Sequence, residues 1–282
     1  RKTCYNYKPD IIMLGHADLI SAEQIAELRN DYPNVKFGQW FLDPLNKKGP
    51  DYHRNKSRIL DKIEHLDASF VTTSPSVLNF LPKNNSNFYI PNPSDDSFET
   101  LNNFLKPCNV DVFFALSHGV HRGVLKSGKI DDRITFLKNL SEKTPDVKFD
   151  IYGIDKIQPI WADHYFKTIA NAKMGLNLSR GDAIKYYSSD RITQIVGNGL
   201  VCLIDEKTQY RDFFDNSEMV FYKNISDLSE KILKISRDEK LRKSIGKKGK
   251  KKYMKYFNST LVADFIINKT LVKPDKKKYH WH

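Results

Sequence analysis

Hydrophobic positions along the chain follow two rhythms that take turns almost from end to end. Short β-branched and aromatic runs are followed by stretches in which apolar residues recur every third or fourth position. That alternation predicts parallel α/β layers. DIIMLG (Asp10 to Gly15) reads as a strand, and SAEQIAELRNDY as a helix capped by Ser21 with Ile25 and Leu28 on its apolar face. VKFGQWFLD is the next strand. A helix is predicted over Arg54 to His65, a strand over ASFVTT, a short helix over SPSVLNFL with Ser74 as cap and Pro75 first, and a strand over NFYI.

Two prolines and a polar cluster in PNPSDDSFETLNNFLKP break the alternation, which restarts at NVDVFFALS. The pattern therefore divides the chain into a first Rossmann-like unit over 1–93, a hinge over 94–108 and a second Rossmann-like unit over 109–282. The second unit reads as a strand (Asp111 to Leu116), a Gly-rich loop, a helix (Asp131 to Lys143), the strand VKFDIYG and a helix from about Pro159 to Ala172. The strand MGLNLS, a polar stretch, a helix, LVCLID, MVFY and about three closing helices through Leu271 complete it. No repeat of solenoid type is visible. In doubly wound sheets ligands bind where loops converge at the carboxyl ends of strands.

A length of 282 residues, 40% hydrophobic and 28% charged, supports a real core and agrees with two domains at about 150 residues each. No window approaches the roughly 18 apolar residues of a membrane span, and RKTCYNYKPD carries no signal-type apolar run, so a cytoplasmic location is the default expectation. Cys4, Cys108 and Cys202 match no metal box and read as reduced packing residues. The net charge of +12 is concentrated toward the carboxyl end, in KKGKKKYMK and KPDKKKYHWH. A solvated helix face, an anionic membrane surface and a phosphorylated substrate each fit that bias. Nucleic acid is not expected, because no helix-turn-helix, zinc-finger or RNP module is recognisable.

Two stretches carry candidate chemistry. In DAIKYYSSDRITQIVGNGLVCLIDE, Lys185, Tyr186 and Tyr187 precede a helix opened by Ser188, Ser189 and Asp190, with Ile192, Ile195 and Val196 inward and a Gly197 to Gly199 stop. Unpaired N–H groups at such a terminus attract anions, and an ordinary capped helix between two strands is the plain alternative. SHGVHRGVLKSGK sets Arg122, Lys126 and Lys129 among three glycines after the second unit's first strand, which suits a diphosphate, although a surface turn reads equally well. It is neither a Walker loop nor a dinucleotide fingerprint. His16 and Asp43 each follow a strand of the first unit, and His118 and His121 look toward the same cleft from the second. Each is a candidate base or acceptor contact, and a satisfied strand-end group is the alternative.

The arrangement resembles the GT-B glycosyltransferases, specifically the bacterial group 1 type and its compact branch similar to spore-maturation-protein glycosyltransferases. The resemblance is best over Asp111 to Leu271, where SHGVHRG, DRITQIVGNGLVCLID and the terminal YKNISDLSEKILKISRDEKLRKSIGKKGKKKYMKYFNSTLVADFI match in order. QWFLDP, VTTSPSVLNFL and YIPNPSDDSFE are similar to the family's route into the donor domain. It implies two Rossmann-like domains facing a cleft, with a nucleotide-diphosphate sugar as co-substrate, no cofactor and no metal. By carry-over, Arg122, a nearby lysine and the backbone at Ser188 to Asp190 would meet the diphosphate. Relatives place two glutamates before the Gly turn, and here those positions fall on Gln194 and near Tyr186. The family's Gly-rich opening strand-loop-helix has no counterpart, so the first domain reads as amino-terminally truncated.

The resemblance thus implies a metal-independent glycosyltransferase that moves a hexosyl or related unit to a glycan or lipid-linked acceptor in cell-surface polysaccharide synthesis. An inverting transfer would use Asp43, then His16 or His118, as base. An anionic inner membrane face is a further expected partner. The alternative from another class is a non-catalytic GT-B-like module that binds nucleotide-sugar or glycan.

Overall fold

The computed structural model describes residues 1–83, 86–116, 131–275 and 277–282. The first sheet holds β1 (Ile11–Gly15), β2 (Lys36–Phe41), β3 (Ala68–Val71) and β4 (Asn87–Tyr89), all parallel and side by side in chain order. The chain enters it through α1 (Lys2–Tyr7), a short helix without buried residues. The strands are joined through α2 (Ala22–Asp31) and α3 (Tyr52–Leu60). Ser21 caps α2 in a capping box with Gln24, as its spacing predicts. Two predicted helices are shorter than expected. Arg54 to His65 divides into α3 and a 3-10 turn over Ile63–His65, and SPSVLNFL forms a 3-10 turn over Pro75–Val77 only. There the Ser74 hydroxyl pairs with Ser76 at 2.8 Å and caps no backbone N–H, so nothing extends the turn.

The second sheet runs β6 (Phe149–Tyr152), β5 (Val110–Ala115), β7 (Ala172–Asn177), β8 (Val201–Asp205), β9 (Val220–Tyr222), again all parallel. Strand order reverses between β5 and β7, which makes the carboxyl ends of those two strands the topological switch point. The connections are α4 (Asp132–Lys143), α5 (Ala162–Ile169) and α6 (Arg191–Gly197), followed by α7 (Ile225–Arg237), α8 (Glu239–Tyr256) and α9 (Ser259–Thr270). Gly175 in mid-β7 lets α6 lie directly on the sheet: a Cβ there would stand 2.5 Å from Ile195 Cγ1.

Helix α9 leaves the second sheet and packs on the first. Phe265 meets Phe70 and Phe88 edge-on, with centroids 6.2 and 5.8 Å apart, and the closing residues Tyr279 and Trp281 are buried against it. One apolar core thereby runs from Phe70 and Tyr89 of the first sheet to Phe213, Phe257 and Ile195 of the second unit. Arg242 pins the hinge: its side chain is buried and donates to Asn103 O and Lys106 O, each at 2.9 Å, and to Glu239. Asn103 in turn donates to Ile169 O and Ala172 O at 2.8 Å.

Candidate functional site

The switch point is ringed by arginines. Arg133, on the first turn of α4, forks onto Asp131, with Nε 2.9 Å and Nη2 2.6 Å from its carboxylate oxygens, and both residues are buried. Arg180, three residues past β7, lies with Nε 3.8 Å from Asp131 and donates Nη1 to Asp51 of the first unit at 3.1 Å. Arg191 opens α6. It donates Nη2 to Leu178 O at 2.7 Å and sits 5.3 Å above the Phe114 ring of β5. Burial pulls the Arg191 pKa below its usual value and the charge of Arg133 pulls it further, so the guanidinium stands where a negative group would relieve it.

Two N–H donors in this ring are buried and have no partner among the described residues: Arg191 Nε and Asn177 Nδ2. Asn177 ends β7, and its Oδ1 accepts from Ser189 Oγ at 3.0 Å, which occupies the oxygen and leaves the amide nitrogen as the open end of the side chain. Buried donors normally find acceptors, so a pair of open ones beside three guanidinium groups describes a seat for an anion.

The segment from Asp182 to Asp190 clasps the two units together. Asn46 donates to Arg180 O at 3.0 Å, and Gly181 takes the positive φ of 72° that lets the backbone pass over the Asn46 amide. Lys48 pairs with Asp182 at 2.8 Å, Ser74 N donates to Lys185 O at 3.0 Å, and Asn92 donates to Ser188 O at 3.0 Å. Tyr186 also has positive φ, 61°. Its ring packs on Tyr89 and Phe213, its hydroxyl donates to Asp212 at 2.7 Å, and burial followed by the Asp212 contact raises its pKa to about 12. The Lys185 ammonium rests 4.9 Å over that ring.

Several residues expected on the cleft surface stand elsewhere. Tyr187 is buried, and burial pushes its phenol pKa up. The charges of Arg191, Asp43, Asp190 and Arg133 all bear on its hydroxyl, which places it between the two units. Ser188 and Ser189 do not cap α6. Asp190 holds the cap position without a side-chain bond, because the Ser188 hydroxyl pairs with Tyr210 at 3.1 Å and that of Ser189 with Asn177. Gln194 accepts a hydrogen bond from the Tyr165 hydroxyl. His118, His121, Arg122, Lys126 and Lys129 lie outside the described residues.

Across from the arginines, His16 and Asp43 come together at the carboxyl edge of the first sheet, Nε2 to Oδ2 3.9 Å. The imidazole stacks on Phe41 at 5.1 Å, and Arg58 contacts Asp18 and lies 4.0 Å from Asp43. Both side chains remain more than a third exposed. Among the described residues no group of three or more His, Cys, Asp or Glu is placed to hold a metal ion, and no helix is long and apolar enough to cross a membrane.

Sequence reasoning missed Asn177, Arg133, Arg180 and Arg191 as site residues. The available signal was their position: Asn177 ends a strand, Arg133 and Arg191 stand in the first turn of a helix, and Arg180 follows a strand by three residues, all in the second unit.

Residues 133–268 match the family model described as Glycosyl transferase-like. No curated protein matches the chain. Among solved structures, TarM superposes with a TM-score of 0.63 at 15% identity, over 94% of this chain and 57% of that one. A mutant of S. aureus TarM in complex with Fondaparinux, alpha-GlcNAc-glycerol and UDP gives 0.60 at 15%, over 88% and 54%. Anabaena Alr3699/HepE in complex with UDP and glucose gives 0.62 at 9%, over 95% and 78%. The chain thus spans little more than half the length of the TarM chains it matches, 57% and 54%. The family-model match covers just under half of the chain, and the chain as a whole has the two-domain GT-B fold of these structures.

Proposed function

We propose that this protein transfers a sugar from a nucleotide-diphosphate sugar to a glycan or lipid-linked acceptor. The observation that carries the reading is the pair of buried, unpartnered donors, Arg191 Nε and Asn177 Nδ2, within the arginine ring at the switch point. The diphosphate would lie against them. As the bond between the sugar's anomeric carbon and the phosphate oxygen breaks, negative charge builds on that oxygen, and donors already fixed around it stabilise the transition state most. The anomeric carbon bonds to an acceptor hydroxyl oxygen, the nucleoside diphosphate leaves, and the hydroxyl proton needs a destination. In an inverting transfer Asp43, with His16 beside it, is the group on the acceptor side that takes the proton. UDP in the S. aureus TarM mutant and Anabaena Alr3699/HepE complexes named above supports a uridine nucleotide as the first donor to test.

The same reading extends to a hexosyl or related unit, cell-surface polysaccharide synthesis and a metal-independent reaction on the cytoplasmic face of a membrane. Lys240, Lys247, Lys248, Lys251 and Lys255 support the last point, because they recur at one-face spacing along α8 and all are exposed. A second reading, a binding module without transfer, draws on Gln194, whose amide oxygen is taken by Tyr165 where relatives are expected to carry an acid.

A thermal-shift panel of UDP, GDP, CMP and dTDP tests the donor site, since a nucleotide held by the folded state raises its melting temperature. One or more is expected to do so, and no shift with any of them removes the donor assignment. Release of nucleotide from its sugar ester, lost in Asp43→Asn while the thermal shift stays, separates transfer from binding.

A further inference from the structure

On the first-unit side of the cleft a groove of about 430 Å³ opens between α3, the loop after β2 and the segment after β3. Leu45, Leu78, Phe80 and Ile184 form its apolar walls, and Ile184 reaches in from the clasp that joins the two units. Leu45 is two residues beyond Asp43, so one wall of the groove belongs to the same loop as the proposed base. Tyr52 meets Phe80 edge-on at 6.3 Å, and Asn79 adds an amide. Lys47 and Lys56 are its charged members. Lys56 lies 5.6 Å over the Phe80 ring, and neither lysine forms an ion pair among the described residues. A second hollow of about 360 Å³ shares Leu78 and Asn79 with the first and extends to Lys83.

We infer that these two adjoining hollows bind the acceptor as an extended, negatively charged glycan whose growing end lies at Asp43. The inference rests on the transfer reading above. A site of this volume with apolar and aromatic walls and a few fixed polar groups is a binding site in form. Its charged members, Lys47, Lys56 and Lys83, are all cations, and two unpaired ammonium groups beside an apolar floor are complementary to an anionic ligand. The shape selects a chain. Two hollows that adjoin at Leu78 and Asn79 accommodate successive rings, whereas a lipid tail needs a continuous apolar channel. Amphipathic rings such as Tyr52 and Phe80 suit the apolar faces of sugars.

The test measures binding of the whole chain to acidic oligosaccharides of two to six units, bearing uronate, sialate or phosphate groups, and to their uncharged counterparts. Acidic members are expected to bind more tightly than neutral ones and to gain affinity with length. Lys47→Gln with Lys56→Gln is expected to weaken binding about fivefold to tenfold, the combined loss of two solvent-facing charge contacts. Lys83→Gln is expected to weaken only the longer members. Equal binding of neutral members, no binding of any acidic member, or lysine variants that bind like the parent would each overturn the inference. The nucleotide thermal shift, read on the same variants, stays at the parent value if only the glycan groove is altered and reports separately on the donor site.

Discussion

Replacing Arg191 by alanine is the sharpest perturbation of the donor seat. The side chain places a buried Nε–H without a partner at the end of β7, and its Nη2 holds Leu178 O at 2.7 Å. A hydrogen bond from a charged donor to an anionic oxygen contributes about 1.5–3 kcal/mol, and removing a cation from a desolvated anion site adds to that. We expect the variant to lose about 2–4 kcal/mol of nucleotide-diphosphate binding, a rise in Kd of about 30- to 1,000-fold. For a chain of 282 residues the unfolding entropy is about 0.6 kcal/mol/K. Nucleotide at 100 times its Kd stabilises the folded state by about 2.7 kcal/mol, so the parent should melt about 4–5 °C higher when it is present. At that same concentration the variant retains only about 0.06–0.9 kcal/mol and should shift by less than about 2 °C. Arg191→Lys keeps the charge but loses the fork, and should fall between the two. The melting temperature without nucleotide reports the separate cost of freeing Leu178 O. A folded Arg191→Ala variant that shows the full parental shift would refute the donor assignment.

Two further outcomes follow from the scaffold. Arg242→Ala leaves the carbonyls of Asn103 and Lys106 without their charged donor in a buried site, costs about 3 kcal/mol and should lower the melting temperature by about 5 °C; a change under about 1 °C would show that the hinge is held elsewhere. Asp67 is a pH-dependent tie in the first unit: burial pushes its carboxyl pKa up, but Arg29, the Phe37 N–H and Lys36 outweigh that and hold it below the ordinary range. A depressed folded-state pKa means stability that is present above the ordinary carboxylate value of about 4 and fades as pH falls through and below it. The melting-temperature gap between the parent and Asp67→Asn should therefore be widest near neutrality and close toward pH 3, and a gap that is constant with pH would remove the tie.

The parallel architecture was legible because both hydrophobic periods are written in single residues. Period-two runs such as VDVFFA became strands, and Ser21 capped the helix that its spacing announced. What an amphipathic pattern does not specify is which sheet a helix will cover. The face of α9 carrying Val262, Phe265 and Ile266 would serve either unit, and the choice is made by Phe70 and Phe88, almost 200 residues away in sequence.

The capping at the candidate site was misread for one physical reason: hydroxyl and amide groups have several partners open to them, and burial selects among them. Ser188 and Ser189 are good caps in isolation. Beside the buried Tyr210 hydroxyl and the Asn177 amide they satisfy those groups instead, and α6 begins at Arg191 without a side-chain cap. That exchange occupies the Asn177 oxygen and leaves its buried nitrogen without an acceptor among the described residues. In sequence Arg191 is one more charged residue at a helix start, where a solvated side chain is the ordinary expectation. Packed over Phe114, with Arg133 lowering its pKa, it becomes a cation that burial disfavours unless an anion joins it. The cap that α6 lacks from Ser189 and the donor left open on Asn177 are therefore linked: the hydroxyl that could have closed the helix instead occupies the Asn177 oxygen and fixes which end of the amide would meet a phosphate in the proposed donor site.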